Sequence, residues 1–252
     1  MNKILKIFVV AAIGVIVFFI SPVQAQILDI LISEIRIDQP GTDIDEYFEL
    51  SGSPGIPLNG LTYLVIGDLS SGSGVIEAVV DLTGQSIPIS GYFVAAEGSF
   101  SLGTADLTTV LDFENSDNVT HLLVNGFTGA NGDDLDTDDD GILDSTPWAE
   151  VLDIVALIEE NNPPSATEYH YGPPTVGPDG SYVPGHVFRC DTNWVIGSFD
   201  PVGGDDTPGA MNICSNNVIP TLSDWGIIIF ALLVGSFAIW FMRKQSQIDQ
   251  MA

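Results

Sequence analysis

Short apolar runs rich in β-branched residues recur along the middle of the chain, and turn-forming residues separate them. The runs cover residues 28–37, 47–50, 61–66, 75–82, 92–96, 107–113, 119–124, 151–158, 182–188 and 194–196. The breaks hold Pro-Gly, Asn-Gly and Ser/Gly-rich stretches, which are typical of tight turns. No stretch with a helical period stands out before the C-terminal apolar run. The pattern therefore predicts an all-β sandwich or barrel.

The first run alternates between apolar and polar positions, as expected for a strand with one buried face. The predicted inner face carries Leu31, Ser33, Ile35 and Ile37. Glu34 and Arg36 fall on the other face as next-but-one neighbours, and we expect them to form a surface ion pair.

Residues 159–185 break this pattern, because six prolines and several glycines lie among them. The composition predicts a long irregular excursion, either a packed loop or a flexible flap. Its aromatic residues, Tyr169, His170, Tyr171 and Tyr182, favour packing of at least part of it. We therefore expect residues 161–214 to be a Pro/Gly-rich extension on a sandwich of residues 26–160.

The charge of the chain is strongly lopsided. The net charge is −28 over 252 residues, and the middle of the chain keeps only two basic residues, Arg36 and Arg189. Such a module repels a phosphate backbone, so nucleic acid is not expected as a partner. Bound divalent cations would relieve the repulsion between the acidic groups. A plain acidic, soluble surface is the alternative.

Residues 1–25 have the order of a secretory signal peptide. Lys3 and Lys6 precede an apolar run at 7–20, and small residues before Gln26 suit a cleavage site. The run is short for a membrane span, which favours cleavage over an uncleaved anchor. The sequence thus predicts an exported protein, in which Cys190 and Cys214 can form a disulfide.

A second apolar run, 227–242, lies near the other end and is followed at once by Arg243 and Lys244. A helix of this length rises about 24 Å, which just crosses a thin hydrocarbon core. Trp225 would lie at one interface, and the basic pair would stay on the cytoplasmic side. The run therefore predicts a transmembrane helix with a basic stop.

The residues before this run form a specific motif. It consists of Ile219, Pro220, Thr221, Leu222, Trp225 and Gly226. Motif, span and basic tail together resemble the IPTL-CTERM sorting domain. The resemblance implies an exosortase-like membrane enzyme as a partner, which would process the tail and deliver the protein to the cell envelope or release it to the surface. A plain C-terminal anchor is the alternative, and the long polar tail at 245–252 departs from the pattern.

One stretch points to metal chemistry. Seven of the fourteen residues at 131–144 are aspartates. Calcium prefers six to eight oxygen ligands, and carboxylates at alternate positions can converge when the chain curls around the ion. Gly141 permits the sharp turn, after which a backbone carbonyl can act as a ligand. The predicted calcium ligands are Asp136, Asp138, Asp140, the carbonyl of Ile142, and Asp144, with Asp134 as a further candidate.

This spacing resembles the first nine positions of an EF-hand-type loop and the calcium loops of thrombospondin type 3 repeats and dockerins. It departs at position twelve, where Pro147 replaces the expected bidentate acid. A further ligand would have to come from Asp134, Glu150 or water, so a weak structural site suited to extracellular calcium is expected. A solvated acidic turn between two strands is the alternative.

The start of the module also carries a family resemblance. It rests on ISEI at 32–35, GTD at 41–43, DEYFEL at 45–50, LNGLTYL at 58–64, ISGYFV at 89–94 and the strand at 151–157. These segments look like a lamin-tail domain over residues 27 to 160. The resemblance implies an immunoglobulin-like sandwich and supplies no catalytic residues.

The sequence holds no recognisable catalytic motif. His121, His170 and His186 lack zinc-like spacing, and no nucleophile elbow, phosphate loop or dinucleotide fingerprint is present. We therefore expect a non-catalytic envelope protein with a structural or adhesive role towards surface polysaccharide or protein. The alternatives are a carbohydrate- or protein-binding module with an aromatic strip of Tyr169, Tyr171 or Trp194, and a hydrolase with paired carboxylates.

Overall fold

Two β-sheets stacked face to face form the module in the computed structural model of the chain. The structure describes residues 30–69, 72–160 and 169–214, together with residues 229, 231–237 and 241. The strands among these residues are β1 (Leu31–Arg36), β2 (Tyr47–Ser51), β3 (Leu61–Leu69), β4 (Gly72–Asp81), β5 (Tyr92–Ala96), β6 (Leu107–Thr108), β7 (Val119–Asn125), β8 (Glu150–Leu157), β9 (Thr175–Val176), β10 (His186–Cys190) and β11 (Asn193–Ile196). The predicted all-β sandwich is confirmed, and a short 3₁₀ helix lies at Pro201–Gly203.

The two sheets differ in size and share one pairing pattern. One sheet has six strands in the order β11-β10-β1-β2-β5-β6, and the other has five in the order β4-β3-β7-β8-β9. Neighbouring strands are antiparallel except for β5 with β6 and β8 with β9, which are parallel. Short hairpins join β3 to β4 and β10 to β11, as the turn signals at those positions predict.

The core lies between the sheets and is built from inward-facing residues of both. The rings of Phe48 on β2 and Tyr63 on β3 stack across the interface with centroids 3.7 Å apart. Val155 on β8 and Val187 on β10 are fully buried in the same cluster. Burying an apolar side chain of this size contributes about 1.5–3 kcal/mol, so the sandwich rests mainly on this layer.

The first strand does not follow the simple alternation that its sequence suggests. The pairing of β1 with β2 shifts by one residue between Ile32 and Glu34, which marks a β-bulge. Because of the bulge, four isoleucines reach the core, namely Ile30, Ile32, Ile35 and Ile37. The prediction that Leu31 and Ser33 share the inner face with Ile35 and Ile37 was therefore wrong.

The predicted surface ion pair between Glu34 and Arg36 was also wrong. Both residues are fully buried, because residues 197–213 cover the outer face of β1. The Arg36 guanidinium binds the Asp206 carboxylate through Nε at 2.7 Å and Nη2 at 2.6 Å. Glu34 accepts hydrogen bonds from the backbone N–H and the hydroxyl of Thr207. The covering segment is thus held by a buried ion pair and by hydrogen bonds to a buried carboxylate.

A second covering layer lies on the outer face of the five-stranded sheet. Leu135, from the loop between β7 and β8, packs with Tyr171 on residues of β3, β4 and β7. The same loop runs beside β4, where Ile76 N–H donates to the Asp133 carbonyl at 2.9 Å and Gly132 N–H donates to the Ile76 carbonyl. The loop therefore covers an edge strand that would otherwise expose unpaired backbone groups.

The extension predicted at 161–214 supplies strands to both sheets. Its β9 pairs with β8 in the five-stranded sheet, and its β10 pairs with β1 in the six-stranded sheet. Cys190 closes β10, and both Cys190 and Cys214 are disulfide-bonded. The sandwich therefore includes strands from well beyond residue 160.

The predicted terminal segments fall largely outside the described residues. This applies to the signal peptide at 1–25, to the motif residues 219–226 and to most of the predicted span at 227–242. The chain divides into two compact units, Met1–Ile213 and Cys214–Ala252. In the latter, positions 229, 231–237 and 241 are helical. Among the residues that the structure describes, no helix combines the length and the apolarity needed to cross a membrane.

Candidate functional site

The aspartate-rich loop is folded back on itself around Leu135, which is buried. The Leu135 N–H donates to the Gly74 carbonyl at 2.9 Å, and the Leu135 carbonyl accepts from Asp144 N–H at 2.7 Å. The bond from Asp144 to Leu135 joins the two ends of the loop, so Asp136 and Asp144 are brought close together. The local sequence thus forms a closed turn that is fixed to the start of β4.

Three aspartates converge inside this turn. Carboxylate oxygens of Asp136, Asp138 and Asp144 all lie within 4.8 Å of one another. Asp136 is fully buried, whereas the other two are exposed to solvent. Calcium accepts three carboxylate oxygens in such an arrangement. The solvent side of the cluster is open, so water can supply further ligands.

The Asp136 carboxylate is fixed by donors on both of its oxygens. Its Oδ2 accepts from Gly141 N–H at 2.9 Å and from the Tyr171 hydroxyl at 2.7 Å. Its Oδ1 accepts a longer bond, 3.2 Å, from Asp140 N–H. These donors orient the carboxylate before any ligand binds, in the way that outer partners orient metal ligands. Burial raises the pKa of the Tyr171 hydroxyl, so it stays protonated and remains a donor.

Two residues in left-handed backbone conformations make the turn possible. Gly141 has φ +83°, and a Cβ added there would lie 2.8 Å from the Tyr169 ring. Asp139 has φ +53°, and its Oδ1 accepts from Ser73 N–H at 2.8 Å. Gly141 thus has both a conformational and a steric role, and Asp139 fastens the loop to β4.

The charges within the loop repel one another. The neighbouring charge of Asp140 is the main cause that raises the pKa of Asp138, with smaller contributions from burial and from Asp144 and Asp136. The hydroxyl and the backbone N–H of Thr137 donate to the Asp144 carboxylate and lower its pKa. A divalent cation among these groups would relieve the repulsion.

The remaining predicted ligands have other partners in this structure. The Asp140 carboxylate accepts from Ile142 N–H at 2.9 Å, and the Asp134 carboxylate accepts from Asp136 N–H at 3.1 Å. Glu150 opens β8 opposite Asn125. The structure therefore brings together three of the predicted carboxylates and shows Asp134 and Asp140 supporting the backbone of the turn.

Two residues that fix the site, Asp139 and Tyr171, lie outside the predicted ligand pattern, and the sequence did not identify them. Asp139 was passed over because it falls between the alternate ligand positions. Tyr171 lies 35 residues from Asp136 along the chain, and the sequence suggested it for packing of the extension or for an aromatic strip, not as a partner of the loop. Tyr171 is instead buried, and Tyr169 and Trp194 are partly buried against the clusters. Only the spacing around Gly141 offered a local signal.

A second group with metal-binding residue types lies under the 197–213 segment. Ligand atoms of Glu34, His186 and Asp206 lie within 4.8 Å of one another. However, the Arg36 guanidinium occupies the Asp206 carboxylate, and His186 Nε2 lies 2.9 Å from Glu34 Oε1. A metal ion there would face a fixed positive charge, so we interpret this group as a structural ion-pair network.

An acidic cavity of about 460 Å³ is lined by residues of several loops and by Glu77 of β4. Its carboxylates belong to Asp43, Glu46, Glu77, Glu97, Asp112 and Glu114. Burial raises the pKa of Glu46 to about 8 and that of Glu77 to about 8, and neighbouring carboxylates add to both shifts. Both side chains therefore hold a proton at neutral pH. The Glu46 carboxyl accepts from Phe113 N–H at 3.2 Å.

Residues 219–244 match the model of the IPTL-CTERM motif. The match is to a C-terminal sorting signal, which implies an exported protein directed to the cell envelope and processed by an exosortase-type enzyme. No curated protein and no solved structure gives a significant match to the chain. No lamin-tail family match supports the resemblance of residues 27 to 160, which stays a hypothesis.

Proposed function

We propose that the chain is a non-catalytic envelope protein that presents an acidic, calcium-stabilised β module outside the membrane. The observation that carries this proposal is the IPTL-CTERM match at residues 219–244, which directly follows the module. A sorting signal of this kind serves delivery and requires no activity in the module. A structural or adhesive role towards surface polysaccharide or protein accords with this placement.

Calcium is proposed as the structural cofactor of residues 131–144. The support is the convergence of Asp136, Asp138 and Asp144, with Asp136 oriented by Tyr171 and by the backbone. Asp140, the Ile142 carbonyl and water would complete the coordination after a small shift of the loop. A site with three preset carboxylates and an open side would bind calcium weakly, and the millimolar calcium outside cells is enough to fill such a site.

The position of the loop defines what calcium would do. The loop covers the edge of β4 and packs Leu135 on the outer face of the five-stranded sheet. An ion bound to Asp136 and Asp144 would hold the two ends of the turn together. Its contribution would therefore be to stability and to protection of the sheet edge.

The proposed immunoglobulin-like, lamin-tail-type fold has support from strand order. In immunoglobulin domains, strands A, B and E pair in one sheet, and C′, C, F and G pair in the other. Here β1, β2 and β5 lie side by side, and β4, β3, β7 and β8 lie in that order in the second sheet. The strands β9, β10 and β11 would then be additions contributed by the extension.

Two other functions remain as alternatives. A ligand-binding module is favoured by the cavity beside Tyr182 and Phe199. A hydrolase is favoured by the protonated Glu46 and Glu77 in the acidic cavity, because general acids of glycosidases have raised pKa values. If the protein hydrolysed an envelope glycan and the Glu46→Gln variant did not, the hydrolase function would replace the non-catalytic proposal.

The sorting part of the proposal is tested by the native C-terminus. Mass spectrometry of the protein from cells with and without the exosortase-type enzyme should find a chain truncated before Arg243 only when the enzyme is present. Pro220→Ala in the motif should give the unprocessed chain, whereas Pro208→Ala, in the module, should leave processing intact. An intact tail in both strains would mean a plain anchor.

A further inference from the structure

A cavity of about 400 Å³ lies at the end of the six-stranded sheet, away from the aspartate loop. Asp38, which follows β1, and Phe199, which follows β11, contribute to its walls. Asp179 and Tyr182 contribute from the segment before β10. The volume lies within the range of pockets for small molecules, towards its lower end.

Two aromatic rings at this cavity remain open to solvent. Tyr182 is 75% exposed and Phe199 is 43% exposed. Tyr182 is paired with Asp179 in a tight turn, in which Asp179 N–H donates to the Tyr182 carbonyl at 2.8 Å and Tyr182 N–H donates back at 3.2 Å. The backbone of this turn thus places an aromatic residue and an acidic residue opposite each other.

The opposite wall is preset by buried groups. The Nη1 atom of Arg36, which is fully buried, donates to the Asp38 carbonyl at 3.0 Å and to the Phe199 carbonyl at 2.9 Å. Gly185 leaves room for the Phe199 ring, since a Cβ there would lie 2.8 Å from it. The wall therefore needs little rearrangement to accept a ligand, and little affinity is lost to ordering.

The charge of the cavity lining decides whether a cation or an anion can bind. Its side chains include the carboxyl groups of Asp38 and Asp179, and none of its described residues is basic. Burial raises the pKa of Asp38 to about 6, and a hydrogen bond shared with the Asp43 carboxyl adds to the shift. The Arg36 guanidinium behind the wall is paired with the Asp206 carboxylate. The two carboxyl groups of the lining therefore disfavour an anion and attract a cation.

We propose that this cavity binds a small organic ammonium ion, with the cation over the Tyr182 and Phe199 rings and next to Asp38 and Asp179. Aromatic faces attract ammonium groups through the negative potential of the ring, and carboxylates add direct attraction. A neutral sugar would gain stacking but would not use the charge. This site is separate from the loop at 131–144 and does not depend on calcium there.

The test is calorimetric titration of the full chain with choline and with its neutral carbon analogue, 3,3-dimethylbutan-1-ol, at neutral pH and in the presence of a chelator. Choline should bind with a Kd of about 1 mM or tighter. The neutral analogue, which has the same shape, should bind at least about tenfold more weakly, because it lacks the charge. Titrations with a lysine peptide and with a linear polyamine then show whether the ammonium group of a protein or that of a small amine binds more tightly.

Variants assign the binding to the cavity. Tyr182→Ala and Asp179→Asn should each weaken choline binding by about fivefold or more, whereas Tyr182→Phe, which keeps the ring, should change it little. Asp191→Asn removes one charge at the exposed turn between β10 and β11 and should have no effect. The proposal is overturned if choline does not bind, if the neutral analogue binds equally, or if Asp191→Asn matches Asp179→Asn.

Discussion

The hydroxyl of Tyr171 donates a hydrogen bond of 2.7 Å to Oδ2 of Asp136, and both residues are buried. Tyr171 comes from the extension, whereas Asp136 lies between β7 and β8. The bond therefore ties the proposed calcium loop to a distant segment. It also places a neutral donor behind the one aspartate of the cluster that solvent cannot reach.

Removal of this hydroxyl should weaken calcium binding. In Tyr171→Phe, Asp136 loses a donor that orients it, and loss of such an outer partner lowers metal affinity by about tenfold or more. Titration calorimetry of calcium into the full chain measures the change. Tyr182→Phe removes a hydroxyl from an exposed ring outside the loop and should leave the affinity unchanged. Equal affinities in wild type and Tyr171→Phe would contradict the role of this bond.

The two roles of Gly141 can be separated with a second glycine. Gly132 has φ +86° and open space around its Cα, whereas Gly141 has φ +83° and the Tyr169 ring close by. Both Gly→Ala variants should lose about 1–2 kcal/mol of stability from backbone strain. Gly141→Ala should lose more, because Tyr169 must move, and should also lose calcium affinity. Thermal unfolding checks this, and equal losses would show that the ring contact is unimportant.

The buried network under residues 197–213 should be among the most sensitive parts of the module. Arg36→Met leaves the Asp206 carboxylate buried without its partner, which costs about 3–5 kcal/mol. Arg189→Met also breaks an ion pair, with Asp153, but both of those side chains are partly exposed and the loss should be smaller. Denaturant unfolding of the two variants tests the order. A larger loss in Arg189→Met would contradict it.

The module should be more stable in mild acid than in mild alkali. Burial raises the pKa of Glu46, Glu49 and Glu77 to about 8 each. The folded state therefore binds protons more tightly than the unfolded state, and this stability is lost as the pH rises from about 4.5 through about 8.

One group opposes this trend. Burial lowers the pKa of His121 to about 3, so its contribution is lost as the pH falls below about 6.5. Three acids outweigh one histidine, and the melting temperature in a chelator should be higher at about pH 5.5 than at about pH 8. Glu46→Gln should reduce the difference, while Glu150→Gln, at an exposed strand end, should not. A melting temperature that rises towards pH 8 would contradict the account.

Local pattern was enough to place most strands of the sandwich. Runs such as 61–66 and 92–96 carry an apolar period and are bounded by turns, and they became β3 and β5. The bulge at Ile32 and Glu34 has no signature of its own, because it depends on the register with β2. β9 is only two residues long and pairs with a strand nearly twenty residues earlier, so no local period marks it.

In the candidate site, too, the sequence predicted only contacts between residues close together along the chain. Asp136, Asp138 and Asp144 could be foreseen as a group because a single tight turn brings them together. The acidic cavity could not, since its carboxylates come from β4 and from several loops that only the folded sandwich brings together. The pairing of Arg36 with Asp206 joins positions 170 residues apart, and a strand pattern alone suggested an exposed arginine.

The most direct test of the calcium-stabilised module is thermal unfolding of the full chain with and without calcium. Wild type should melt at a higher temperature in millimolar calcium than in a chelator, since an ion that binds only the folded state stabilises it. Asp138→Asn/Asp144→Asn should lose that shift, whereas Asp179→Asn/Asp191→Asn, with the same charge removed elsewhere, should keep it. An unchanged melting temperature in wild type, with no heat on calcium titration, would contradict the account.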